Sequence, residues 1–210
     1  MAIGGIPAAP VSEWTIKEIK SIGTDKIKDL TTDNIKDLSA DQLKAFSAKQ
    51  IGALTSNQIS AIEVDDLVTL SGKQIGAFNP NEFTYGMSTE QIKALTSAQT
   101  KGLTIDQLKA MDSSKFTAMD AEDIATMSAK QIQALTSAQL NALNGEQIQS
   151  LTAKQVAALS VDQIKNLTTT QIKALTADQV KGLTASQLQA MDSAQIAAID
   201  TEDIAAMTAK

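Results

Sequence analysis

The chain has no cysteine and no histidine in 210 residues. That excludes disulfides, a thiolate nucleophile, a histidine general base and the usual zinc sites. The missing cysteine suits an extracellular protein and a cytosolic one equally. Aromatic residues are scarce, with one Trp, one Tyr and four Phe. Eighteen basic residues, all lysine, stand against 24 carboxylates, for a net charge of −6. This balance argues against a nucleic-acid partner and suits a soluble surface. No run reaches the roughly 18 apolar residues of a membrane span. The start, MAIGGIPAAPVSEW, lacks the basic region and long apolar core of a classical signal peptide.

What the chain does have is an eight-residue period, clearest from Gln131 to Leu175. Numbered from its glutamine, the unit carries Gln at position 1 and Ile, Leu or Val at 2. Position 3 is polar, position 4 is small and position 5 is Leu, Met or Ile. Position 6 is Thr, Ser, Asp or Asn, and positions 7 and 8 are small or polar. Octads start at Glu18, Lys26, Asn34, Gln42, Gln50, Gln58, Asp66 and Gln74. A nine-residue unit opens at Glu82, and the octads resume from Gln91, making 24 units in all. Such repetition is read before any local motif.

One long helix does not fit, because eight residues advance a helix by about 800° and the apolar positions drift about 80° per unit. A strand would point positions 2 and 5 to opposite faces, and the Ala, Gln, Lys and Met filler favours helix. The remaining reading is one very short helix per octad. Position 6 supplies the N-cap, and Gln or Glu three residues later completes a capping box, as in Thr96…Gln99, Thr104…Gln107, Asn144…Gln147 and Thr176…Gln179. Leu175, just before a cap, is placed to pack on Val180 as a hydrophobic staple. Helices of about seven residues do not survive alone in water, so the units must stabilise one another. The fold expected is an all-α, short-helix α-solenoid of 24 repeats, an elongated superhelical rod with nearest-neighbour contacts, with two octads per turn as in helix-pair solenoids. Residues 1–17 are expected as lead-in and cap, and 18–210 as the solenoid, with an irregularity at 82–90.

Several residues stand out against the repeat. Trp14, the only Trp, is expected to cover the open end of the first units, since terminal repeats need caps. Asp29 and Asp37 at position 4 imply a start that is either less tightly packed or partly solvent-facing. Acidic triplets recur at Glu63, Asp65, Asp66; at Asp120, Glu122, Asp123; and at Asp200, Glu202, Asp203. Carboxylates at a helix start are favoured by capping and the helix dipole; a weak cation site is the alternative, although no calcium-loop motif is present. In the irregular unit, Pro80 follows an Asn79 cap at the site where Pro costs least. Gly86 could absorb the extra residue, and Phe83 with Tyr85 could form a partner patch. Thr100 at an apolar position and Gly102 two residues on imply a weakly packed unit. Thr208, Ala209 and Lys210 open a further octad, which suggests a longer array or an open end that meets another molecule.

The segments Ala-Leu-Thr-Ser-Ala-Gln (134 to 139) and Ala-Leu-Thr-Ala-Asp-Gln (174 to 179) resemble the Ala-Leu-Thr-x-x-Gln octapeptide arrays of very large bacterial proteins. Those proteins look like secreted or surface adhesins. The resemblance implies a stalk, spacer or adhesive role at the cell surface; cytoplasmic residence is the alternative. No catalytic residue and no cofactor carries over. The function expected is a structural spacer or an adhesion or assembly scaffold, without catalysis. A protein- or peptide-binding solenoid is the second reading, with further repeats of the chain, other proteins or end-to-end association as partners.

Overall fold

The computed structural model describes residues 5–207, the last two by backbone alone, so Thr208 to Lys210 lie outside the described residues. Among the described residues are 24 α-helices, one per repeat unit, no strand, and a 3-10 turn at Val11–Glu13. The shortest helices, such as Thr24–Ile27, have four residues, and the longest, such as Pro80–Gly86, have seven.

Local chemistry accounts for each start and stop. The Thr104 N–H donates to Gln107 Oε1 at 2.9 Å, while the Gln107 N–H donates to Thr104 Oγ1 at 3.2 Å. The same reciprocal box closes at Thr96, Asn144 and Thr176, as the spacing predicts, and at most other helix starts. The helix ending at Ala110 stops in extended backbone at Met111 (φ −68°, ψ 133°), and Asp112 then caps the next one. Position 2 is sealed almost completely from Ile19 to Val180, with Ile27, Ile51, Ile75, Ile132 and Ile164 each 0% exposed. Position 5 is buried as well, by Leu in most units and by Phe46, Phe78, Met111, Met119 or Met127 in others. Fully burying each such side chain is worth about 1.5–3 kcal/mol.

The chain divides into two compact units, residues 1–111 and 112–210. In both, each helix packs on the third helix along the chain. In the first unit the three columns run Ile16–Ser21, Ala40–Lys44, Val64–Leu67, Thr89–Lys93; then Thr24–Ile27, Ala48–Ile51, Gly72–Ile75, Ser97–Gly102; then Thr32–Lys36, Ser56–Ser60, Pro80–Gly86, Ile105–Ala110. In the second unit they run Ser113–Phe116, Ser137–Ala142, Val161–Asn166, Ala185–Ala190; then Ala121–Ala125, Gly145–Ser150, Thr169–Lys173, Ser193–Ala198; then Ala129–Gln133, Ala153–Ala158, Ala177–Lys181, Thr201–Met207. A coil therefore holds three octads, and the two-octad turn expected from helix-pair solenoids is corrected. The reason lies in the junctions. Leu103 (φ −60°, ψ 132°) and Thr104 (φ −79°, ψ 158°) are extended residues that bend the path between helices without folding one back on the next. Helices of about 9 Å match the 8–10 Å packing distance between helix axes, so three short sides enclose a core.

Two local expectations change as well. The unit of Thr100 and Gly102 is tightly packed, with Thr100 0% exposed. A Cβ on Gly102 would run into the backbone of Gly72, and one on Gly76 into the carbonyl of Gly102. The small residues that looked like weak packing in fact let two helix backbones touch. In the nine-residue unit, Asn79 caps the helix by accepting from the Asn81 and Glu82 N–H groups, with Pro80 at the first helical position. A Cβ on Gly86 would lie 2.6 Å from the Ser56 carbonyl oxygen, so this glycine is required by close approach to the neighbouring helix. At the start of the array Asp29 and Asp37 are solvent-facing as expected, while Ile27, Leu30, Ile35 and Leu38 beside them are buried.

Candidate functional site

The densest polar chemistry in the molecule belongs to the position 1 glutamines. Gln171 is 4% exposed. Its Oε1 accepts from the Thr168 N–H at 3.1 Å, completing the capping box. Its Nε2 donates to the carbonyls of Leu140 at 2.7 Å and Leu143 at 2.9 Å. Those carbonyls lie 31 and 28 residues back, at the end of one helix and just before the Asn144 cap of the next. One side chain thus starts its own helix and ties it to the coil before, using both amide protons and its carbonyl.

The arrangement recurs. Gln50 reaches Ile19 and Ile22, Gln58 reaches Ile27 and Leu30, and Gln107 reaches Ile75 and Phe78. Gln179, Gln187 and Gln195 do the same in the second unit. The inserted residue does not upset it. Gln91 reaches back 32 and 29 residues, again to a position 2 and a position 5 carbonyl, Ile59 and Ile62. The clamp was missed in the sequence because a capping box accounts for Gln and Glu equally. The signal was the preference for Gln, which alone keeps a donor. Glu18, Lys26 and Asn34 hold position 1 in the first octads, and the first described cross-coil bond is made by Gln42.

That bond also locates Trp14. Gln42 Nε2 donates to the carbonyls of Val11 at 2.8 Å and Trp14 at 2.9 Å. Val11 and Trp14 are 3% and 4% exposed and stand at positions 2 and 5 of an octad beginning at Pro10. The indole N–H donates to the Ala9 carbonyl at 2.7 Å.

The aromatic patch expected from Phe83 and Tyr85 is corrected. Phe83 is 0% exposed and lies 6.1 Å, centroid to centroid, from Phe78, whereas Tyr85 is 80% exposed. Phe83 holds the core position of its nine-residue unit, so it cannot share a surface with Tyr85.

Glu63 and Asp120 stand at N-caps with the other acids in the first turn, but neither side chain makes a cap hydrogen bond. Glu202 and Asp203 lie in the first turn of Thr201–Met207, and the Asp203 and Ile204 N–H groups donate to the Asp200 carbonyl. In each triplet the third acid, Asp66, Asp123 or Asp203, replaces the clamp glutamine and is half-buried, and the other two are exposed. Burial, then the charges of Asp65 and Glu63, holds the Asp66 carboxyl above the usual range. Asp112 is the contrast: accepting from the Ser114 hydroxyl and the Lys115 N–H lowers its pKa. Among the described residues, no three Asp, Glu, His or Cys side chains converge on a point that could hold a metal ion. No described helix is long and apolar enough to cross a membrane.

Residues 19–56, 116–153 and 153–185, just over half of the chain, match the family model described as the ALTTAQ repeat. No curated protein matches the sequence. Among solved structures, the leucine-rich repeat-containing protein LegL7 from Legionella pneumophila is similar at 12% identity and a TM-score of 0.22, over 98% of this chain and 90% of that one.

Proposed function

This chain belongs to the ALTTAQ repeat family, and we propose that it serves as a structural spacer or as an adhesion or assembly scaffold, without catalysis. The observation that carries the reading is the commitment of most octads to their neighbours. Positions 2 and 5 fill the core, position 6 caps, and position 1 clamps one coil to the last. The capping Ser and Thr recur along the array, so none is set apart as a nucleophile beside a base. Trp14 closes the first coil, and the acidic triplets favour helix starts through the dipole without holding a cation. By the resemblance to large bacterial surface arrays, the protein works outside the cell, in contact with other proteins or with further repeats.

A spacer must recover its length after being stretched. The test is repeated stretching of the single chain in an optical trap. Extension in coil-sized steps with recovery under low load supports the reading. Loss of structure that does not return between pulls would sink it. Adding millimolar calcium should leave the traces unchanged, and a calcium-dependent rise in unfolding force would assign the acidic triplets to cation binding.

A further inference from the structure

An asparagine side chain is open to attack by the backbone nitrogen that follows it. The attack closes a succinimide ring and releases ammonia. A Cβ on the following residue crowds that nitrogen, so glycine is the most permissive successor. Of the seven asparagines, only Asn144 precedes a glycine. Asn79 precedes Pro80, whose nitrogen has no proton to lose. Elsewhere the following nitrogen is engaged. The Ile35 N–H donates to the Thr31 carbonyl, the Gln58 N–H to Thr55 Oγ1, the Glu82 N–H to Asn79 Oδ1 and the Leu167 N–H to the Ile164 carbonyl, while Ala142 lies inside a helix. Gly145 instead opens the helix Gly145–Ser150, at a position where an N–H has no intrahelical acceptor. Asn144 is exposed, and a Cβ on Gly145 would meet only the Ala174 Cβ, at 3.6 Å.

We propose that Asn144 is a deamidation site whose reaction is gated by its own capping box. In the closed box Asn144 Oδ1 accepts from the Gln147 N–H at 2.9 Å, and the Asn144 N–H donates to Gln147 Oε1 at 3.1 Å. The backbone at Asn144 is extended (φ −78°, ψ 173°). Ring closure must turn the Gly145 nitrogen toward the Asn144 side chain, which takes Oδ1 away from Gln147. Once the box opens, the Gly145 nitrogen loses its proton to solvent and bonds to the Asn144 Cγ, and the bond from Cγ to Nδ2 breaks to release ammonia. Water then opens the ring at one of its two carbonyls. Attack at Cγ leaves aspartate with a normal backbone; attack at the main-chain carbonyl leaves isoaspartate, with the chain running through Cγ. The coil accommodates the first product. Asp192 has the same φ and ψ as Asn144 and closes the same box with Gln195, and a helix start favours the added negative charge. The second product breaks coil contacts on both sides. Its extra backbone methylene displaces the Leu143 carbonyl, which Gln171 reads, and the start of the helix from which Gln147 reads the Thr117 and Met119 carbonyls. The inference stands on local geometry and is independent of the spacer reading.

The experiment ages the full chain at physiological temperature and mildly alkaline pH, then maps Asn, Asp and isoaspartate at every asparagine by peptide mass spectrometry. Asn144 should react before all others, and on the order of tenfold more slowly than in a short peptide of residues 140–150, where no box holds it. Urea below the unfolding transition should speed the reaction in the full chain. Gly145→Ala should slow it at least about tenfold in chain and peptide alike by crowding the nitrogen. Earlier reaction at another asparagine, or no slowing by Gly145→Ala, would overturn the site. Equal rates in folded chain and peptide would overturn the gating. Asn144→Asp should melt with the parent, whereas the isolated isoaspartate form should show faster hydrogen exchange in Gly145–Ser150 and Thr169–Lys173. Equal exchange in the two forms would overturn the assigned consequence.

Discussion

Two helix pairs meet at different distances and yet are clamped alike. In the first unit, Gly72–Ile75 and Ser97–Gly102 touch backbone to backbone, with no room for a Cβ on Gly102. In the second unit, Gly145–Ser150 packs on Thr169–Lys173, and a Cβ on Gly145 would meet the Ala174 Cβ at 3.6 Å, an ordinary contact. The glutamines do not register this difference. Gln99 holds the Leu67 and Leu70 carbonyls at 2.7 and 2.8 Å, and Gln171 holds Leu140 and Leu143 at 2.7 and 2.9 Å. The spacing of the coils is free to vary, while the clamp is constant. A hydrogen bond tolerates little change in length, whereas apolar surfaces can close up wherever side chains are small.

The largest effect that tests this comparison is steric. Gly102→Val should destabilise the first unit by about 3 kcal/mol, the upper range for overpacking a tight site. Gly145→Ala should gain about 0.4–1 kcal/mol by restricting the unfolded chain. Urea unfolding followed by circular dichroism measures both, and equal effects would erase the distinction between the two pairs.

Next comes the clamp. Gln99→Leu and Gln171→Leu should each cost about 2 kcal/mol, because buried carbonyls and the cap N–H lose their partners. Thr168→Ala removes only a cap and should cost about 1 kcal/mol. Hydrogen exchange at the clamped coil locates the loss. Unequal costs for the two glutamines would show that the clamp is not the constant part of the fold.

The smallest effect is a pH dependence. The folded state raises the Asp66 pKa through burial and the charges of Asp65 and Glu63, so the folded chain binds this proton more readily than the unfolded chain. The contribution of Asp66 is most favourable below its unfolded pKa and is lost as pH rises through its folded pKa. Asp66→Asn should therefore be slightly more stable than the parent at neutral pH, with the advantage shrinking on acidification to about pH 3. Thermal melts at matched pH values would show this, and an advantage that grows on acidification would reverse the assigned cause. A neutral residue there would bring the Asp66 octad nearer to the glutamine units around it.

Much of the architecture can be read along the chain because its causes are local. Thr104 and Gln107 meet within a single helical turn, so their box is visible as a spacing. The burial of Ile148 and Leu151 follows from a pattern that excludes both a long helix and a strand. Phe83 and Tyr85 were harder, since both are aromatic and only two residues apart. Their opposite fates depend on which of them falls on the core position once an extra residue lengthens the helix. Gly102 misled for a similar reason: an absent side chain marks a gap or a contact, and the opposing backbone decides which.

By itself, then, the sequence determined one short helix per octad, its cap and its core positions, all of which rest on interactions within about eight residues. Only the tertiary structure decided that three octads make a coil, and that glutamine joins one coil to the next. Those contacts link residues 28 to 32 apart. A sequence that repeats every eight residues looks the same whether its coils close after two units or three, so the choice falls to how short helices and bent junctions fill space.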